Sequence, residues 1–80
     1  MERMWVAQQQ LAELVNQLLE SRQLAVRELA NRANLDPRTC RDALSGRGTS
    51  GWVTVETAES IMQALGELER MSELEVFVSA

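Results

Sequence analysis

The residues best able to do chemistry in this 80-residue chain are its eight basic side chains, all of which are arginine. There is no histidine, and Cys40 is the single cysteine. These counts exclude histidine-based acid–base catalysis, a catalytic triad that uses histidine, an internal disulfide and the usual zinc sites. We therefore expect no enzymatic activity, no metal and no cofactor.

The arginines are concentrated in about one third of the chain. Residues 22–47 hold six arginines and three acidic residues, a local charge of +3, whereas the rest of the chain has a charge of −7. A guanidinium group presents a planar fork of donors that matches phosphate oxygens and the edge of guanine. The distribution favours nucleic-acid contacts through this window, although the net charge of the chain is −4.

Two helices are predicted before the middle of the chain. Apolar residues recur at helical spacing over about 4–21, which predicts a first amphipathic helix. The residues that carry this pattern are Leu11, Leu14, Val15, Leu18 and Leu19. A second, shorter helix is expected at about 26–33, and it ends before Asn34, a residue type that tolerates a left-handed backbone.

A third helix is predicted from Asp36 and Pro37, because aspartate is a preferred N-cap and proline is favoured at the first helical position. It is expected to run to about Ser45. Its inward residues should be Cys40, Ala43 and Leu44. Its outward residues would then include Arg38 and Arg41, which are three apart and share one face.

Residues 46–53 are expected to form a loop, with Trp52 at its end as a core anchor. Thr54 is a predicted N-cap for a fourth helix. The buried face of that helix is expected to comprise Ala58, Ile61, Met62, Leu65 and Leu68.

The last residues fit two patterns. Leu74, Val76 and Val78 alternate with Glu75 and Phe77, as in a strand, although a helical spacing can also be drawn through this segment. We favour the strand. A lone strand would have no partner within an otherwise helical chain, so we expect it to pair with its copy in a second subunit. Residues 67–80 are thus the predicted dimerisation tail, with these contact residues: Leu74, Val76, Phe77 and Val78.

The stretch AVRELANRANLDPRTCRDALSG, at residues 25–46, resembles the helix-turn-helix of the phage-repressor and Cro family, often called XRE-type. The positions that carry the resemblance are Leu29, Ala30, Asn34 in the usual place of glycine, Leu35, Asp36, Cys40 in the usual place of Val or Ile, and Gly46. The resemblance implies an all-α, lambda-repressor-like domain of four to five helices over residues 1–80, with the motif at about 25–45. A short C-terminal dimerisation strand is compatible with it.

This resemblance implies a sequence-specific transcriptional regulator, a repressor that binds double-stranded DNA as a homodimer on a palindromic operator. The expected base contacts in the major groove are Arg38, Thr39, Arg41 and Asp42. The expected phosphate contacts are Arg27, Arg47, Thr49 and Ser50. Arg22 and Arg32 are interpreted as surface charges.

An interaction module, such as an antitoxin or anti-repressor, is the alternative hypothesis, because the same fold can bind a protein through the acidic C-terminal third. Neither hypothesis requires a small-molecule ligand. No apolar run approaches the roughly 20 residues needed to span a membrane. The N-terminus lacks the basic-then-apolar order of a signal peptide, so we expect a cytoplasmic protein.

Overall fold

The structure is a computed structural model that describes residues 3–45 and 51–79. In chain order its elements are β1 (Arg3–Ala7), α1 (Gln8–Arg22), α2 (Val26–Ala33), α3 (Pro37–Ser45), β2 (Trp52–Thr54), α4 (Val55–Ala64), a 3₁₀ helix (Leu68–Glu73) and β3 (Val76–Ser79). Within the described residues, none of the helices has the length and apolar character that crossing a bilayer requires.

The three strands form one antiparallel sheet in the order β2-β1-β3. The fold is therefore mixed α/β, although largely helical, and the expected all-α class is wrong. The first helix was expected to include residues 4–7, whose spacing fits the stripe of α1, but these residues belong to the central strand. Both partners of β1 lie more than forty residues further along the chain, so the local pattern contains no sign of the pairing.

Side chains alternate along β1 and give the sheet two different faces. Val6 and its cross-strand partner Val53 are buried and join the hydrophobic core. The opposite face carries Trp5, its partner Phe77, and Trp52, whose ring centroid lies 5.1 Å from that of Phe77. Trp52 is half-buried on this outer face. The expectation that it anchors the core is wrong, because the strand register turns Val53 inward instead.

The C-terminal strand is confirmed, but the premise that it has no partner within the chain is wrong. β3 pairs with β1, with Met4 opposite Val78 and Trp5 opposite Phe77. Leu68 was expected on the buried face of the fourth helix. It is 42% exposed, because α4 ends at Ala64 and Leu68 begins the 3₁₀ helix.

The chain leaves α1 and α4 through residues with a left-handed backbone conformation, and the sequence pattern did not predict either exit. Gln23 follows α1 with φ 53°, and the amide of Leu24 donates to the carbonyl of Leu19 at 2.9 Å. Gly66 has φ 72°, a conformation that costs glycine little, and it reverses the chain after α4. Such exits satisfy carbonyls that the last helical turn would otherwise leave unpaired.

The core contains the predicted apolar faces of the helices. From α1 it takes Leu11, Leu14, Val15 and Leu19, and from α4 it takes Ala58, Ile61 and Met62. Thr54 caps α4 as expected, since its side-chain oxygen accepts from the amide of Thr57 at 3.3 Å. Leu74, just before β3, was expected to contact a second subunit, but it is 8% exposed and packs in this core instead.

Candidate nucleic-acid interface

The first turn of α3 is built by the residue types that predicted it. The carboxylate oxygen Oδ1 of Asp36 accepts a hydrogen bond from the amide of Arg38 at 2.7 Å. The carbonyl of Asp36 accepts from the amide of Cys40 at 3.0 Å. Pro37 has no amide hydrogen to satisfy and occupies the first helical position. Arg38 therefore stands in a well-fixed first turn.

The turn that joins α2 to α3 is closed at Asn34, which has φ 58° and ψ 41°, as predicted. The amide of Asn34 donates to the carbonyl of Asn31 at 3.3 Å, and the amide of Leu35 donates to the carbonyl of Ala30 at 2.9 Å. This pair of bonds is the Schellman pattern. Leu35 is half-buried and packs against the core, so the turn holds the two helices at a fixed angle.

The inward side of α3 consists of Cys40, Ala43 and Leu44, all buried as expected. Burial raises the pKa of the Cys40 thiol above its ordinary value, so the side chain stays protonated and acts as a small apolar group.

Two side chains of α1 hold the last turn of α3 from the other side. The amide Nε2 of Gln8, which is only 3% exposed, donates to the carbonyl of Asp42 at 2.6 Å. The amide Nδ2 of Asn16 donates to the carbonyl of Leu44 at 3.2 Å. Both carbonyls lie where a helix runs out of internal donors. These two positioning residues were not predicted, because no local pattern shows which distant carbonyl a glutamine or asparagine will reach.

The outward side of α3 presents the four predicted base-contacting residues together. Arg38, Thr39, Arg41 and Asp42 are all exposed. Their side chains make no hydrogen bond or ion pair with the described residues. They are therefore free of intramolecular partners in the described part of the chain and point away from the core that holds the helix.

The arginines of the described residues fall into two groups. Arg22 donates to the carbonyl of Leu65 at 2.5 Å and to Glu67 at 2.8 Å, and Arg70 pairs with Glu73 at 2.7 Å. The guanidinium of Arg3 lies over the ring of Trp5. The arginines whose side chains bond to no described residue all lie on α2 and α3, and they are Arg27, Arg32, Arg38 and Arg41.

Of the four predicted phosphate contacts, one lies within the described residues and three lie outside them. Arg27 lies exposed in the first turn of α2. Arg47, Thr49 and Ser50, together with Gly46 at the expected end of α3, lie outside the described residues.

Arg22 is exposed, as expected for a surface charge, and it also ties the end of α1 to the end of α4. Because its guanidinium is bonded within the fold, Arg22 is a structural residue.

The chain matches no protein-family model, no curated protein and no solved structure. What it does must therefore be inferred from the arrangement of its own residues.

Proposed function

We propose that this chain is a sequence-specific DNA-binding transcriptional regulator, a repressor that acts as a homodimer. One observation carries the proposal: the arginines left without a partner among the described residues are confined to α2 and α3. A cation that a fold leaves unpaired, on a helix that the same fold holds rigidly, is available to an anion outside the molecule. The phosphates of DNA are such anions.

The local geometry supports a helix-turn-helix of the XRE type. A short helix, a left-handed Asn34, a half-buried Leu35 and a capped third helix follow one another, and they match the positions of the resemblance in order. In such motifs the N-terminal residues of the motif's second helix, here α3, reach base edges in the major groove. The resemblance is one of fold, so the DNA-binding function rests on the exposed residues of α3.

Base reading is assigned to the outer face of α3. Arg38 and Arg41 can each offer a two-pronged contact to O6 and N7 of guanine, worth about 1–3 kcal/mol of discrimination against other bases. Asp42 accepts from N4 of cytosine, and Thr39 contacts a phosphate or a thymine methyl group. Arg27, Arg47, Thr49 and Ser50 would contact phosphates, which position the protein without specifying sequence.

The homodimer is proposed through β3. This strand pairs with β1 along one edge, and its other edge carries no strand among the described residues. Val76, Phe77 and Val78 are each exposed, which is unusual for three successive apolar residues. Leu74 is buried inside the monomer and supports β3 from within. A second copy of β3 would continue the sheet across a two-fold axis and match a palindromic operator.

Such a regulator acts where the DNA lies, so the proposal includes a cytoplasmic location. The test is binding of a fluorescent duplex as salt is raised. The logarithm of the affinity should fall linearly with the logarithm of salt concentration, by about 0.9 per phosphate contacted. Absence of binding at low salt, or an affinity that salt does not change, would overturn the proposal.

Three variants refine this test. Arg38→Ala and Arg41→Ala should weaken binding to a preferred duplex by about tenfold or more, since each removes a base contact. Arg32→Ala removes the same charge from an exposed site on α2 and is the matched control. An equal loss in all three variants would show that only charge matters.

A further inference from the structure

An open groove of about 330 Å³ lies beside the sheet, on a part of the molecule separate from the candidate DNA interface. Its lining residues are Met4, Val55, Glu59, Leu68, Met71, Ser72 and Val76. They come from β1, α4, the 3₁₀ helix and β3, and none comes from α2 or α3. A molecule in this groove would therefore leave the outer face of α3 free.

The groove is apolar and unfilled. Met4, Leu68 and Val76 expose 49%, 42% and 43% of their surfaces, although all three are large hydrophobic residues. With Val55 and Met71 they form a continuous lining. Contiguous apolar surface of this kind marks interaction sites in small proteins. Methionine side chains adapt to differently shaped partners, and the groove has two of them.

The part of the chain that supplies most of the groove is acidic in sequence, and Glu59 lines the groove itself. Residues 51–79 hold six glutamates and a single arginine, Arg70. That arginine is already bonded to Glu73 at 2.7 and 3.1 Å. Glu59 forms part of the groove wall, and Glu56 lies one turn earlier on α4. Neither carboxylate forms an ion pair with the described residues.

We propose that this groove binds an amphipathic helix of a partner protein, with the apolar stripe of that helix on Leu68 and the two methionines and with lysine or arginine beside Glu56 and Glu59. Residues three and four apart on a helix form such a stripe and fill grooves of this type. The charge of the occupant follows from the rim, since a basic flank would neutralise carboxylates that the fold leaves unpaired.

A second copy of this chain fits the groove less well. The large hydrophobic residues that the described part of the chain exposes are Met4, Leu68, Val76, Phe77 and Val78, all on β1, β3 and the 3₁₀ helix. A copy that brought them to the groove would also bring its own glutamates against Glu59, and like charges oppose association. Pairing along the edge of β3 avoids this conflict, because residues 76–79 carry no charge.

The test is selection from two libraries of peptides of about 15 residues, a length at which helices begin to form. Both have leucine-rich stripes at spacings of three and four; one has lysine and arginine on its flanks, and the other has glutamate. The expected result is enrichment from the basic library alone. Selected peptides should shift the methyl signals of Met4 and Met71 and leave that of Met62, buried in the core, unchanged.

Variants locate the binding. Leu68→Asp should weaken the selected peptides by about tenfold, because it places a charge in the apolar contact. Glu59→Lys should weaken them by about threefold at low salt, and Glu20→Lys, which reverses an exposed charge on α1, should have no effect.

Enrichment of acidic peptides, or basic peptides that shift Met62 rather than Met4 and Met71, would overturn the proposal. So would a lack of enrichment. Peptides that bind only a monomeric variant would also overturn it, because a second copy of the chain would then be the occupant of the groove. None of these results depends on whether the chain binds DNA, so each proposal can fail alone.

Discussion

The side-chain amide of Gln8 donates a hydrogen bond to the backbone carbonyl of Asp42 at 2.6 Å, across 34 residues of sequence. Gln8 is the first residue of α1 and follows directly on the central strand of the sheet. Asp42 lies on the helix that we propose reads DNA. The bond therefore joins the two parts of the molecule that the proposed function assigns to different tasks: the sheet to dimerisation and α3 to base reading.

The first prediction concerns this bond. Gln8→Ala should lower the free energy of unfolding by about 1 kcal/mol, since a partly buried hydrogen bond is lost together with its donor. Gln9→Ala, which truncates an exposed neighbour, is the control. Urea denaturation measures both variants. Equal stability of the two variants would mean that the bond does not hold α3 in place.

Arg22 is bonded within the fold and Arg27 has no partner among the described residues, so their replacement should affect different properties. Arg22→Ala should lower the stability of the fold by about 0.5–1 kcal/mol, because it removes the bonds to Leu65 and Glu67. It should leave affinity for duplex DNA almost unchanged. Arg27→Ala should do the reverse and reduce the salt slope of DNA binding by about one unit. Thermal melts measure the stability of both variants, and salt titrations measure their DNA binding. If both variants changed the same property, the assignment of Arg22 to the fold and Arg27 to DNA would be contradicted.

Cys40 gives a prediction for alkaline pH. Burial holds the pKa of its thiol above the ordinary value in the folded state. The unfolded chain therefore releases the proton first as pH rises past about 8.5, and stability is full below this pH and falls above it. The chain has no lysine, tyrosine or histidine, so few other groups titrate in this range. Unfolding by urea between about pH 7.5 and 10 measures the loss. Cys40→Val should abolish it, and an unchanged slope in that variant would assign the loss elsewhere.

The proposed dimer is tested at Phe77, which is 48% exposed on β3. Phe77→Glu places a charge on the strand that the proposed dimer pairs with its copy, so it should halve the mass seen by sedimentation, while circular dichroism stays native. Deleting the whole tail is a poorer test, since Leu74 belongs to the core and β3 pairs with β1. A Phe77→Glu protein that remains a dimer would place the interface elsewhere.

Features that depend on neighbouring residues could be predicted from the sequence, whereas features that depend on distant contacts could not. The exits and starts of α2 and α3 were predicted, because Asn34, Asp36 and Pro37 act on the backbone within a few residues of themselves. The exposed face of α3 followed from the helical period. β1 was missed, because Met4 meets Val78 at the far end of the chain and nothing nearby requires the pairing. Gln23 was missed because a left-handed glutamine has no strong sequence signal.

The candidate site also combines local features with features that depend on distant packing. That Arg38 and Arg41 share an outward face depends only on their spacing. That Arg22 is bonded, whereas Arg27 is free of described partners, depends on where the end of α4 comes to lie. Residue type alone cannot show which arginine is bonded within the fold, because this depends on how the helices pack.

The central claim is that the outer face of α3 reads bases, and its most direct test is selection of bound sequences from random duplex DNA. The parent chain should enrich a palindromic consensus with guanine in each half-site, and Arg38→Ala should lose the preference at one position of each half while Arg32→Ala keeps the full consensus. The absence of any consensus, or a consensus that Arg38→Ala and Arg41→Ala both leave unchanged, would contradict the claim.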